Sequence, residues 1–523
     1  MSDNQPHCQA AATNCCTSRT RLPMNRRKFI TSVGTVLAAS NFAVRALAAM
    51  PKNTALPDYK PTSPVPLKVQ PVLAVQLFQP RKQTSWRPWG GFHSQDDIAG
   101  EKRRIQAELK KLASQSEFPL DIQPIISLDT AQQAAQVSNA DHDVMLIYAA
   151  NTDVSVLEAL TIPEKWTIVF IRHKSGPVYL WYEITHNRYL RKTVDDYGQP
   201  GVDYQDVVVD SLDEIQWRLR SLYGLKNTIG KIIVAIGGPS GWGRGGRKAP
   251  DIAQTTWKMN LQTVDYETLG EMIKKARQND ALVKNCKARA RQYLRARGVS
   301  LETDAKFVDN AFILSEVFKN LMNQAQTDAI TVNSCMGTIM PIAETSACLA
   351  LSILNDSGYQ AYCESDFVVI PSGVLLHHIS GLPVFLNDPT YPHDGIVTIA
   401  HCTSPRRMDG KSLEPAKILT HFESDYGAAP KVEMKLGQRL TVIDPDFDNK
   451  RWLGFEGEVI ENPSLDICRS QQDIRINGDC ERLVAETVGF HWMASYGNYL
   501  KEVGYALNKV GIGWVDLTRE TKV

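Results

Sequence analysis

The 523-residue chain has no Cys-x-x-Cys pair, no Gly-x-x-x-x-Gly-Lys-[Ser/Thr] loop and no Gly-x-Ser-x-Gly elbow. The first absence removes the usual zinc and dithiol-redox motifs. The second removes a Walker nucleotide loop, and the third removes the serine-hydrolase nucleophile turn. Beyond its N-terminal region the chain also lacks the run of about 18 apolar residues that a membrane-spanning helix needs. It has no internal repeat and no low-complexity tract. Net charge is only +1. Residues 1–48 carry six Lys/Arg (Arg19, Arg21, Arg26, Arg27, Lys28, Arg45) and one acid (Asp3), so without that +5 the remainder stands at −4. A mildly acidic body argues against a nucleic-acid partner, which selects a basic face.

What is there begins with Asn25-Arg26-Arg27-Lys28-Phe29-Ile30, which resembles a twin-arginine export motif. A modestly apolar run to Ala43 follows, then Arg45 and an Ala46-Leu47-Ala48 cleavage signal. Residues 1–48 are therefore expected to be a twin-arginine signal peptide, with Met24 an alternative start to Met1. The expected location is periplasmic or extracellular. Five prolines within 49–70 read as an extended tether.

From residue 71 short apolar runs alternate with helical stretches, the pattern of parallel α/β units. The runs are Val72–Phe78, Val144–Tyr148, Thr167–Ile171, Lys231–Ile236 and Asp328–Val332. Helices are expected over 97–113, 265–297, 302–326 and 345–354. After Val384 short alternating segments point to a β-rich domain. The expected architecture is an α/β fold of two Rossmann-like domains, 71–228 and 229–355, followed by a β-rich, barrel-like domain, 356–516.

Residues 8, 15 and 16 are cysteines upstream of the cleavage signal; the other seven are scattered and odd in number. They read as small buried hydrophobes, with a Cys468–Cys480 disulfide open in an oxidising compartment. The glycine-rich stretch Gly237–Gly246 follows a strand, where α/β sheets bind ligands, and reads as a sugar-contacting or a flexible loop. His377, His378, Asn387-Asp388, His401 and His421-Phe-Glu423 are secondary candidates that packing or turn roles explain equally well. Trp86–His93 is either a sugar-stacking segment or a packed loop.

Glu344, Asp366 and His491 are the principal candidates. Two carboxylates and an imidazole form an oxygen-rich donor set that suits Mn²⁺ or Mg²⁺. Taken singly, each has a structural explanation: Glu344 in a helix first turn, Asp366 as a cap, His491 as a core histidine.

From Pro341 to Pro405 the chain reads P-x-x-E-T, then A-C-L-A-L-S-I-L-N-D-S-G, C-E-S-D, L-L-H-H-x-S-G-L-P-V-F-L-N-D-P-T and A-H-C-T-S-P. Thr420–Ser424, Cys468–Gln471 and His491 with Tyr496-Gly497-Asn-Tyr499 continue the pattern. The whole resembles the L-fucose isomerase and L-arabinose isomerase type of ketol isomerase over about 180 C-terminal residues; over 70–330 the likeness rests on architecture. The resemblance implies that Glu344, Asp366 and His491 hold Mn²⁺, that Glu344 and Asp366 also serve as acid/base groups, and that the protein is a homo-oligomer. It further implies aldose–ketose isomerisation through an ene-diol on a monosaccharide. The alternatives are an exported lyase, epimerase or glycosidase that uses the same metal site on a small glycoside, and a non-catalytic sugar-binding protein.

Overall fold

Val144–Ala149 and Trp166–Ile171 are apolar at almost every position, which suits strands covered on both faces. In the computed structural model, which describes residues 59–191, 193 and 198–518, they lie at the centre of a parallel sheet. Its order is Leu120–Ile122, Leu67–Ala74, Val144–Ala149, Trp166–Ile171, Val207–Val209, and Ile126–Leu128 also pairs with Leu67–Ala74. The helix Gln95–Gln115 starts at a capping box formed by Ser94 and Asp97. Behind it Arg172, fully buried, donates to Glu101 at 2.6 Å and to Glu108 at 2.8 Å. The expected signal peptide, and the tether up to residue 58, lie outside the described residues.

A second parallel sheet has the order Gln360–Cys363, Ala329–Val332, Ile232–Ile236, Asn260–Val264. It thus takes in a strand beyond residue 355. The helices Tyr266–Arg277, Asp280–Leu294 and Ala305–Gln324 accompany it; Asn279 caps the middle one and divides the stretch expected over 265–297.

The third sheet closes on itself. Its order is Arg439–Pro445, Trp492–Tyr496, Phe385–Pro389, Ile396–His401, Ser470–Asn477, Arg451–Glu461, and the first and last of these also pair. The result is a six-stranded barrel, to which Gly513–Asp516 adds along Arg451–Glu461. The hairpin Ala416–His421 and Tyr426–Val432 pairs with Val299–Leu301, tying the barrel to the second sheet's helices. The helix Leu500–Lys509 ties it to the first sheet: the Tyr505 hydroxyl donates to the buried Asp206 at 2.6 Å, and Lys509 pairs with the same carboxylate. Residues 59–518 form one body. Among the described residues no single helix is long and apolar enough to cross a membrane.

Candidate metal centre

Three neighbouring strands of the second sheet, Ile232–Ile236, Ala329–Val332 and Gln360–Cys363, run parallel and end at one edge. The loop after the first is the glycine-rich stretch. Gly237 takes φ 76°, and a Cβ there would meet the Tyr266 hydroxyl at 2.0 Å, so only glycine fits. The loop does not hang free. Ser240 donates its N–H to the Ser365 carbonyl at 3.0 Å, and the Ser240 carbonyl accepts from Phe367 at 3.0 Å. The Trp242 N–H donates to Asp366 Oδ1 at 3.2 Å. The loop after the third strand is strained: Glu364 and Ser365 are consecutive left-handed residues, with φ 62° and 48°. This turn aims Glu364 and Asp366 toward the barrel.

The barrel supplies the other wall. Trp492–Tyr496, Phe385–Pro389 and Ile396–His401 are adjacent, with Trp492 opposite Asn387 and Asp388 opposite Ala400. That register brings His491, Asp388 and His401 to one end of three neighbouring strands. His491 Nδ1 is 2.7 Å from Asp366 Oδ2. Its Nε2 lies 3.3 Å from Glu364 Oε2 and 3.2 Å from Asp388 Oδ1. His401 Nε2 is 3.5 Å from Glu364 Oε1, and its Nδ1 pairs with the Thr403 hydroxyl at 3.0 Å.

Burial is uneven. Asp366, His401 and His491 are buried, whereas the Glu364 side chain is 41% exposed and that of Asp388 30% exposed. The open lip carries Trp242 stacked on Phe490, ring centroids 3.6 Å apart, with Phe490 edge-on to His491. Burial works against a charged His491, but the hydrogen bond to Asp366 and the nearby carboxylates of Asp388 and Glu364 outweigh it and raise the imidazole pKa to about 11. Burial likewise works against an ionised Glu364, yet His401 and His491 hold its pKa far below the ordinary carboxylate range. His401 is raised as well, burial being overcome by Asp388 and Glu364.

Two overlapping groups have donor atoms all within 4.8 Å of one another: Asp388, His401 and His491, and Cys363, Glu364 and His401. Moreover, His491 Nε2 and Asp388 Oδ1 are buried without a hydrogen-bond partner, although they face each other. Buried polar atoms left unpaired in this way are costly and uncommon. Oxygen and imidazole donors aimed at one point fit a divalent cation.

Of the three residues singled out from sequence, Asp366 and His491 meet directly. Glu344 stands elsewhere. It follows the short helix Met340–Ala343 with φ 48°, and its 55% exposed side chain accepts from Arg277 at 2.8 Å. It does not occupy a helix first turn, because the next helix begins only at Cys348: Thr345 and Ser346 spend their hydroxyls on the Phe307 and Ala428 carbonyls. Asp388 and His401, secondary candidates, join the cluster. Glu364 was not singled out, although it sits two residues before Asp366. His378 is buried and His377 half-buried on the helix Ile370–Ser380, and His377 is bonded to the Leu382 carbonyl at 2.9 Å. In the Trp86–His93 stretch Phe92 is buried near Tyr179, whereas Trp89 is exposed.

No protein-family model and no curated protein matches this chain.

Proposed function

We propose that the chain is a divalent-cation-dependent aldose–ketose isomerase. The observation that carries this reading is the convergence of Glu364, Asp366, Asp388, His401 and His491, with two buried donor atoms unpaired. The resemblance to the L-fucose isomerase family supplies the reaction class. In this reading the two parallel sheets are Rossmann-like domains that carry the barrel.

Glu364, Asp388, His401 and His491 would hold the cation, and the mixed oxygen and imidazole set favours Mn²⁺ over Mg²⁺. Asp366 is spent on orientation: one oxygen fixes His491 Nδ1, and the other accepts from the Trp242 and Val368 backbones. When bound, the cation supplies Lewis-acid polarisation of adjacent sugar oxygens. Glu364 is ionised and is the most exposed carboxylate of the cluster, so it is assigned to moving the proton between C1 and C2. The Trp242–Phe490 pair gives the sugar ring an apolar face to rest on and narrows access for water. Glu344, paired with Arg277, has no part in this assignment.

The test is turnover of L-fucose, D-arabinose and L-arabinose with added Mn²⁺. Ketose should form, and Glu364→Gln should slow it by about 10³-fold, the usual worth of a positioned base. A cation-loaded protein that converts none of these aldoses would overturn the isomerase reading in favour of chemistry on glycosides.

A further inference from the structure

Seven cysteines fall among the described residues, all of them free thiols, and three gather in one place. Cys348 opens the helix Cys348–Asp356, Cys402 follows the strand Ile396–His401, and Cys468 precedes Ser470–Asn477. The antiparallel register that sets His401 opposite Ser470 carries Cys402 level with Arg469, next to Cys468. Cys348 and Cys402 pack together with Ala429 in a small cluster of their own, against which Cys468 and Phe422 rest. The backbone N–H of Arg469, the residue after Cys468, donates to the Cys402 sulfur at 3.5 Å, so Cys402 sits between its cluster partner Cys348 and the Cys468 loop. Cys335 and Cys363 belong to the larger core instead, and the Cys335 sulfur accepts from the Ala347 N–H at 3.3 Å. Cys468 is not paired with Cys480.

We infer that Cys402 is the hub of a peroxide-oxidisable thiol site, closing a disulfide first with Cys468 and then exchanging to Cys348. Access sets the order. Cys348 is 3% and Cys402 1% exposed, whereas Cys468 is half-buried and meets solvent first. Peroxide oxidises the Cys468 sulfur to a sulfenic acid: the O–O bond breaks and one water leaves. Cys402 then attacks that sulfur, the S–S bond forms, and the hydroxyl departs with the thiol proton as a second water. Two thiols and one hydrogen peroxide thus give one disulfide and two waters. Attack by Cys348 on the Cys402 sulfur moves the bond inward and returns Cys468 as a free thiol, with no net change in electrons.

The experiment treats the whole protein with hydrogen peroxide, counts thiols after denaturation and maps cross-links in a non-reduced digest by mass spectrometry. Wild type should lose two thiols per chain and yield a Cys402 peptide linked to Cys468 or Cys348, reversed by dithiothreitol. Cys402→Ser should give no such link and leave a sulfenic acid at Cys468 that dimedone traps. Cys468→Ser should form the Cys348–Cys402 link at least tenfold more slowly. A full thiol count after oxidation, or a cross-link that omits Cys402, would overturn the proposal. Wild-type mapping alone decides it, so a variant that folds poorly does not blunt the test. It reads sulfur only and stands apart from the cation assignment.

Discussion

Glu364 and Glu344 put the account to its sharpest single-residue contrast. Both are left-handed glutamates at the end of a short element, but one faces two imidazoles and the other an arginine. Glu344→Gln should change turnover less than tenfold, while Glu364→Gln slows it about 10³-fold; kinetics of the two purified variants give the comparison. Loss of turnover in Glu344→Gln alone would restore the ligand set that the resemblance implies. Asp366 and His491 were legible in the sequence because their motifs carried them, although 125 residues separate them. Glu364 was not, because nothing in Cys-Glu-Ser-Asp says which way the chain turns. Two consecutive left-handed residues decide that, and Thr331, whose hydroxyl accepts from the Ser365 N–H at 3.1 Å, helps to hold them there. Asp388 and His401 share this difficulty: strand register, a property of pairs of strands, brings them to the cluster.

At the scale of elements, apolar runs placed the strands Val144–Ala149, Trp166–Ile171, Ile232–Ile236 and Ala329–Val332 to within a residue of where they were expected. The failures have local causes. Asn279 interrupts a helical stretch, and the hydroxyls of Thr345 and Ser346 delay another. Two charges, Arg172 fully buried and Asp356 half-buried, test how elements are joined. Arg172 at the end of Trp166–Ile171 neutralises Glu101 in the helix Gln95–Gln115. Arg172→Ala strands that carboxylate and should cost about 3–5 kcal/mol in urea unfolding. Asp356, at the end of the helix Cys348–Asp356, accepts from the Arg406 and Arg407 backbones at 2.7 and 2.8 Å. Burial nonetheless raises its pKa to about 6. An acid raised in the folded state stabilises fully below its unfolded value, about 3.9. That contribution fades as pH rises through 6, because the folded protein holds the proton longer than the unfolded chain. Asp356→Asn keeps the acceptor and removes the titration. Relative to wild type it should therefore gain about 2–3 kcal/mol between pH 4 and pH 7, read from denaturant midpoints at each pH. Parallel stability curves would contradict this.

Over the whole molecule, the cluster joins the second parallel sheet to the barrel, a junction that no single motif describes. Glu364 and Asp366 come from the edge of the second parallel sheet; Asp388, His401 and His491 come from the mouth of the barrel. An ion held between them cross-links sheet and barrel, so its binding energy becomes folding energy. Mn²⁺ at about 100 times its Kd should add about 2.7 kcal/mol to stability, seen as a raised Tm that a chelator reverses. The most direct measurement is calorimetric titration of Mn²⁺ into the wild-type, Glu364→Gln and Glu344→Gln proteins. The account predicts one ion per chain in the wild type, unchanged binding in Glu344→Gln and at least tenfold weaker binding in Glu364→Gln. Equal affinity in wild type and Glu364→Gln, or loss of binding in Glu344→Gln alone, would contradict it.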